Sequence, residues 1–293
     1  MRRRLVILTR PSHKAELELR YGTVAQARFL MAQAASGAAD FARAERDDVV
    51  QDDAARRIRM ALPDDVMVVE IDRSQVAQFV FEPHDVVVAV GQDGLVANVG
   101  KYLEGQPLAG VNPDPAGIDG VLLAYTVDGF VAALPEVLAS RRPTRAVTLA
   151  ETVTNDGQVL RAFNEIFVGV PNHQSVRYRI SYRGRSEMQS SSGLIVATGS
   201  GSTGWLRSLL GDAASLDPAA EMLRFCVREA WPGRGYGATL LRGDVTADQP
   251  LVIESRVASG VIFADGIESD AIAFDAGMTA TIAPSARRVR LLQ

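Results

Sequence analysis

Apolar and polar positions along the chain follow two different regimes. Up to about residue 126, short apolar runs alternate with longer amphipathic stretches. The spacing predicts strands over residues 5–8, 66–71, 85–90 and 108–111, and helices from residue 24, through 50–62 and over 95–103. Residues 85–90 (Asp-Val-Val-Val-Ala-Val) are mostly β-branched, the pattern of a strand buried on both faces. Such alternation predicts a parallel sheet covered by helices. The Ala/Asp/Arg-rich stretch 32–59 is expected to be helical rather than disordered. Asn112-Pro113-Asp114-Pro115-Ala116-Gly117 interrupts the pattern and reads as a crossing point. Beyond a short helix near 130–139, strands and turns follow at 146–152, 159–170, 175–182, 223–230, 251–255 and 279–283. The expected fold is therefore an α/β N-terminal domain with a parallel sheet (1–126) followed by a β-rich C-terminal domain (127–293).

The most distinctive local feature runs from Ser191 to Trp205. An apolar strand leads into glycines and hydroxyls and then into a helix, which predicts a site for phosphate or ribose oxygens, with Trp205 offering a flat face to a base. Gly199, Gly201 and Gly204 fit G-x-G-x-x-G, the dinucleotide fingerprint. That fingerprint normally opens the first βαβ unit and is followed by an acid at a strand end. Here it lies two thirds along the chain, and Asp217 precedes Pro218, which disfavours a dehydrogenase. A Gly-rich turn with no ligand is the alternative. No Gly-Lys-Ser/Thr follows, which disfavours a P-loop nucleotidase.

Two further constellations carry chemistry. Gly91-Gln92-Asp93-Gly94 follows the buried strand, placing one carboxylate in a glycine turn at a parallel strand's carboxyl end, where open α/β sheets bind ligands. A helix N-cap is the simpler explanation of Asp93 taken alone. Phe163-Asn164-Glu165-Ile166-Phe167-Val168 sets an amide and a carboxylate side by side in an apolar run, where one of them faces the core unless a ligand or bulge receives it. Asp265-Gly266 reads equally as a hairpin turn.

In this order and spacing the motifs resemble those of the NAD kinases, of the mitochondrial type and its bacterial relatives. Gly110 to Pro115 with Gly120 is similar to that type's connection out of the nucleotide domain, Ser191 to Ser202 to its binding loop, and Asp265-Gly266 to its last motif. The resemblance implies the fold that NAD kinases share with diacylglycerol kinases. It implies transfer of a phosphoryl group from ATP or polyphosphate to the 2′-hydroxyl of NAD, giving NADP. It also implies that Asp93 activates the hydroxyl and holds Mg²⁺, and that Gly91, Gln92 and Gly94 form the donor-phosphate turn. Asn164 and Glu165 would grip NAD, Ser200, Thr203 and Trp205 would surround its adenine and ribose, Ser192 would lie near the nicotinamide, and Asp265 would belong to the same site. A homodimer or homotetramer built through the β-rich half is the implied assembly.

The donor turn departs from the family's Gly-Gly-Asp-Gly-Thr, reading Gly91-Gln92-Asp93-Gly94-Leu95. The Gln92 amide adds a donor for a phosphate oxygen, or it blocks approach and leaves a protein that binds nucleotide without phosphorylating it. A kinase of another hydroxyl acceptor is a third reading.

Composition adds limits. The chain has 293 residues, 47% hydrophobic and 23% charged, a net charge of −4 and one cysteine. It is long enough for two cored domains and lacks an internal disulfide. Basic residues are dispersed apart from Arg2 to Arg4, which excludes a nucleic-acid patch as the first reading, and no run of about 18 apolar residues marks a membrane span. A cytoplasmic protein acting on small nucleotides is expected. His13, His84 and His173 lack neighbours at metal-ligand spacing.

Overall fold

A computed structural model describes residues 3–33 and 37–293, so Arg2 and residues 34–36 of the expected helical stretch lie outside the described residues. The chain forms two compact units, residues 1–145 with 290–293 and residues 146–289.

The first unit contains β1 (Arg4–Thr9), α1 (His13–Tyr21), α2 (Val24–Met31), α3 (Gly37–Met60), β2 (Met67–Asp72), β3 (Val86–Val90), α4 (Asp93–Gly100), β4 (Pro107–Asn112), β5 (Tyr125–Thr126) and α5 (Val127–Leu138). β1 pairs in parallel with β2 and β3, and β4 pairs in parallel with β3 and β5. All five residues of β3 are buried, as the β-branched run predicts. Leu5, Ile7, Val88 and Val111 pack with Ala54 and Ile58 of α3 and with Phe130, Leu134 and Val137 of α5. Asp85, fully buried just before β3, receives a two-pronged bond from Arg4, Nε to Oδ1 at 2.7 Å and Nη2 to Oδ2 at 2.6 Å. That bond raises the Arg4 pKa.

The second unit contains β6 (Thr144–Thr154), whose first residues belong to the first, then β7 (Val159–Ala162), β8 (Glu165–Gly169), β9 (Val176–Tyr182), β10 (Arg185–Ser191), β11 (Leu194–Ala197), α6 (Trp205–Leu210), β12 (Leu223–Val227), β13 (Arg242–Val245), β14 (Leu251–Ser255), β15 (Val261–Ala264), β16 (Ile267–Ala273) and β17 (Thr279–Leu292). One antiparallel sheet runs β13-β12-β11-β8-β15-β16; β10, β9, β14 and β17 form a second, continued by β6 and β7. Their facing sides bury Ile166, Val168, Val196, Phe225, Tyr178 and Ile253. The α/β unit with a parallel sheet and the β-rich unit are as the sequence predicts.

Three boundaries differ from expectation. The first unit extends past residue 126 to 145, because α5 buries Phe130, Leu134 and Val137 in its core. It also regains residues 290–293, where Arg290 and Leu291 pair in parallel with Pro107 and Leu108. Residues 112–117 do not cross out of the unit: Asn112 Nδ2 donates to the Ile118 carbonyl at 2.9 Å, and Asn112 Oδ1 accepts the Asp114 amide at 2.9 Å, turning the chain back on β4. The expected strand 159–170 is two strands, broken at Phe163 and Asn164.

Candidate functional site

In the first unit, the turn after β3 places Asp93 as the first residue of α4, with Gln92 as N-cap. The N-cap reading of Asp93 is thereby replaced. Its carboxylate instead accepts the backbone N–H groups of Val121 at 2.8 Å and Leu122 at 2.9 Å, so each oxygen holds one amide of the returning loop and keeps lone-pair capacity for a second partner. Gln92 is exposed and its side chain makes no capping bond. Gly94 is exposed, and a Cβ there would meet nothing within 4 Å. The fold does not need a glycine at that position; open space lies where a side chain would stand. Leu95 is 5% exposed and serves the core.

Gly91 and Gln92 border a cleft of about 270 Å³ at the carboxyl ends of β1, β3 and β4. Its other walls include Arg10, Arg43 and Arg46, which the sequence reading passed over. Arg43 and Arg46 carry only an Arg-x-x-Arg spacing on a helix, indistinguishable from ordinary solvation without the facing turn.

In the second unit, the break between β7 and β8 is held by one side chain about 100 residues away in sequence. Asp265, at φ +56°, accepts the backbone N–H groups of Phe163 at 2.9 Å, Asn164 at 2.6 Å and Glu165 at 3.3 Å. Asp265 thus holds the backbone of the Asn164-Glu165 pair. Thr198 secures the other side, its N–H donating to the Asn164 carbonyl at 2.8 Å and its hydroxyl to that of Phe163 at 2.6 Å. With the backbone fixed twice over, the Asn164 amide and the Glu165 carboxylate make no hydrogen bond among the described residues. Burial, with a smaller contribution from the Asp265 charge, pushes the Glu165 carboxyl up to about 7. Beside them, the buried Ser200 hydroxyl has no partner among the described residues, an arrangement that costs about 1–3 kcal/mol unless something else bonds to it.

Two glycines of the loop are required by the fold itself. A Cβ on Gly199 would lie 2.2 Å from the Asp217 carbonyl oxygen, and one on Gly201 would lie 2.2 Å from that of Asn164. These two glycines serve close approach within the fold. The N–H groups of Gly201, Ser202 and Gly204 are bonded to Thr198, Gly199 and Gly201. The strand before the loop is antiparallel, so the dinucleotide fingerprint lacks its βαβ context. Thr203 is exposed, its hydroxyl 3.4 Å from the Ser200 carbonyl.

Glu165 and Phe167 share one face of β8. On that face Phe167 stacks with Trp205, centroids 5.6 Å apart and planes at 14°, and packs against Phe263 at 4.8 Å. The Arg228 guanidinium lies 5.2 Å from the Trp205 centroid. Phe167, Trp205, Phe263, Arg228 and Ser192 line a cleft of about 580 Å³, within the size range of sites that enclose small ligands. Trp205 and Ser192 thus meet in one cleft, where Phe167, Phe263 and Arg228 are additions unseen in the sequence.

No protein-family model matches the chain. It is 30% identical over 121 residues to NAD kinases of Saccharolobus islandicus strains, a match covering 41% of this chain and 46% of each relative. The match thus spans about half the length of these curated relatives. Among solved structures, the chain superimposes over 99% of its length on an NAD kinase from Archaeoglobus fulgidus crystallised with ATP (TM-score 0.61, 17% identity, 93% of that chain). It superimposes equally on yeast NADH kinase complexed with NADH (TM-score 0.64, 14% identity, 83% of that chain).

Proposed function

Starting from a chain that is related to the NAD kinases and folds as they do, we propose that it transfers a phosphoryl group from ATP or polyphosphate to the adenosine 2′-hydroxyl of NAD, giving NADP. The observation that carries this reading is the polar set in the second unit: Asn164, Glu165 and Ser200 present unbonded groups on a backbone that Asp265 and Thr198 hold fixed. Ribose hydroxyls satisfy a carboxylate, an amide and a hydroxyl together, whereas a purely structural pair would have bonded to the protein. Trp205, Phe167 and Arg228 provide the aromatic wall for a base or nicotinamide ring.

In this reaction the 2′-oxygen forms a bond to the donor's terminal phosphorus while the bridging P–O bond breaks. The rest of the donor leaves with the electron pair. Asp93 takes the hydroxyl proton and passes it to solvent. The Val121 and Leu122 amides orient its carboxylate while leaving the second lone pairs available. Mg²⁺ characteristically binds one or two carboxylates together with substrate phosphates, so the hard-oxygen carboxylate of Asp93 fits as its protein ligand, and the ion would neutralise phosphate charge. The test is the full chain with NAD, Mg²⁺ and each donor, scored for NADP. The expected result is NADP formation by wild type and a loss of at least a hundredfold in Asp93→Asn, with NAD affinity within a few-fold.

A second reading rests on Gln92, whose side chain borders the cleft where the family has bare backbone. A nucleotide-binding protein without transfer would bind NAD tightly and form no NADP, even as Gln92→Gly.

A further inference from the structure

A second cavity of the first unit lies at the opposite end of β3 from the turn of Gly91 to Asp93, where Val86 opens the strand. Its volume is about 380 Å³, within the roughly 300–1,000 Å³ of pockets that enclose small ligands. Val86, Val137, Leu138 and Leu292, all buried, give it an apolar floor. Arg3, Arg142 and Arg290 stand around that floor, with His84 beside them. These cations come from the residue before β1, the turn after α5 and the last strand, so only the fold gathers them.

Charge is not balanced within the cavity. Asp85 is the one carboxylate of the described lining, and its oxygens are taken: Arg4 bonds both, at 2.7 and 2.6 Å, and the Glu82 amide donates to Oδ2 at 2.8 Å. Arg142 pairs with Glu136 at 3.0 Å and donates to the Tyr125 hydroxyl at 3.3 Å, an ordinary arrangement for a cation beyond a helix C-terminus. Arg3 and Arg290 have no such account. The Arg3 side chain makes no hydrogen bond or ion pair among the described residues. Arg290 makes one bond, Nη1 to the Gly105 carbonyl at 3.3 Å, and no ion pair among them. Gathering like charges around one cavity costs energy that a bound anion returns.

The lining narrows what that anion is. Guanidinium groups present N–H forks matched to phosphate oxygens. The described lining holds no Phe, Tyr or Trp ring on which a base would stack, and its apolar floor suits a hydrocarbon body rather than a hydrated ion. We propose that this cavity binds a small phosphomonoester with a compact apolar body, its phosphate held by Arg3 and Arg290 and its body resting on the four buried aliphatic side chains. The site uses neither Asp93 nor any residue of the second unit, so it stands or falls apart from phosphoryl transfer. Arg290 and Leu292 belong to the returning strand and Arg3 precedes β1, so the occupant ties these two segments together and stabilises the first unit.

The experiment is calorimetry on the full chain, without NAD or Mg²⁺, using phenyl phosphate, inorganic phosphate and phenol as probes. Phenyl phosphate should bind about tenfold or more tighter than inorganic phosphate, and phenol should give no measurable heat. Arg3→Ala/Arg290→Ala should weaken phenyl phosphate about tenfold or more. Arg3→Glu should do the same, and it keeps the test valid where the double variant does not fold, because the exposed Arg3 side chain has no partner to lose. Arg43→Ala/Arg46→Ala, which alters the arginine-lined cleft at the other end of the sheet, should leave the Kd within about twofold. Saturating phenyl phosphate should also raise the urea midpoint of wild type and leave that of Arg3→Glu in place. The proposal is overturned if phenyl phosphate does not bind, binds no tighter than inorganic phosphate, binds Arg3→Glu as it binds wild type, loses its affinity in the Arg43/Arg46 variant, or leaves the wild-type midpoint unmoved.

Discussion

Gly94 separates what the fold needs from what the ligand needs. It stands in the first turn of α4 with open space at its Cβ position, so alanine there removes unfolded-state freedom without a clash. Gly94→Ala should raise stability by about 0.5–1 kcal/mol in denaturant titration and at the same time slow NADP formation at least tenfold, because the methyl fills the space kept for phosphate. Equal gains in stability and turnover would remove the donor from this turn. Glu165 offers a test by pH. Its carboxyl titrates at about 7 in the fold, above its ordinary 4.5, so the folded state holds the proton more tightly. The stability this confers is complete below about pH 4.5 and disappears as pH rises through about 7. Glu165→Gln should therefore gain on wild type between pH 5 and pH 8 by on the order of 2–3 kcal/mol, read from urea midpoints at each pH. NAD affinity should move oppositely, strengthening in wild type as Glu165 ionises to accept ribose hydroxyls and staying flat in the glutamine variant.

Among the elements, the bend between β7 and β8 depends on Asp265 more than on either strand. Asp265→Asn tolerates the positive φ but cannot accept three N–H groups as a carboxylate does. It should cost roughly 2–4 kcal/mol and weaken NAD binding, and by removing the neighbouring charge it should lower the pH midpoint of that binding. A midpoint that stays in place would place the pH response elsewhere. The elements around these sites differ in how openly the sequence declares them. β3, its turn and α4 are plain because a β-branched run ends in glycines, and Asn164-Glu165 is plain because polar residues interrupt an apolar run. β10 is hidden: residues 185–191 read Arg-Ser-Glu-Met-Gln-Ser-Ser, and the buried Gln189 and Ser191 are satisfied by Tyr178 across the hairpin and by Glu187, Leu240 and Gly193. The clamp by Asp265 and the close approaches at Gly199 and Gly201 join backbone far apart in sequence, which no local pattern encodes. Arg43 and Arg46 look like solvated helix until the facing turn is in place.

At the scale of the molecule, each unit has its own core, but the chain completes the first unit last. Leu292 is 4% exposed and packs in the core of Leu5, Val88 and Phe130, while the Gln293 carbonyl accepts the Tyr125 hydroxyl at 2.5 Å. Leu292→Ala should cost about 2–5 kcal/mol, detected as earlier unfolding of the first unit in denaturant. From the resemblance we propose a homodimer or homotetramer formed through the β-rich unit; light scattering at micromolar concentration should show it, and a monomer would contradict it. The return of residues 290–293 also sets an order of events at the ribosome. At about 5–20 residues per second, the first unit waits roughly 7–30 s after residue 145 emerges before its last strand can be added. By then the whole second unit has been made. A product cut short within that interval carries Asp93 with Arg10, Arg43 and Arg46 on a sheet still lacking a strand, so the two halves of the chemistry become available together or not at all.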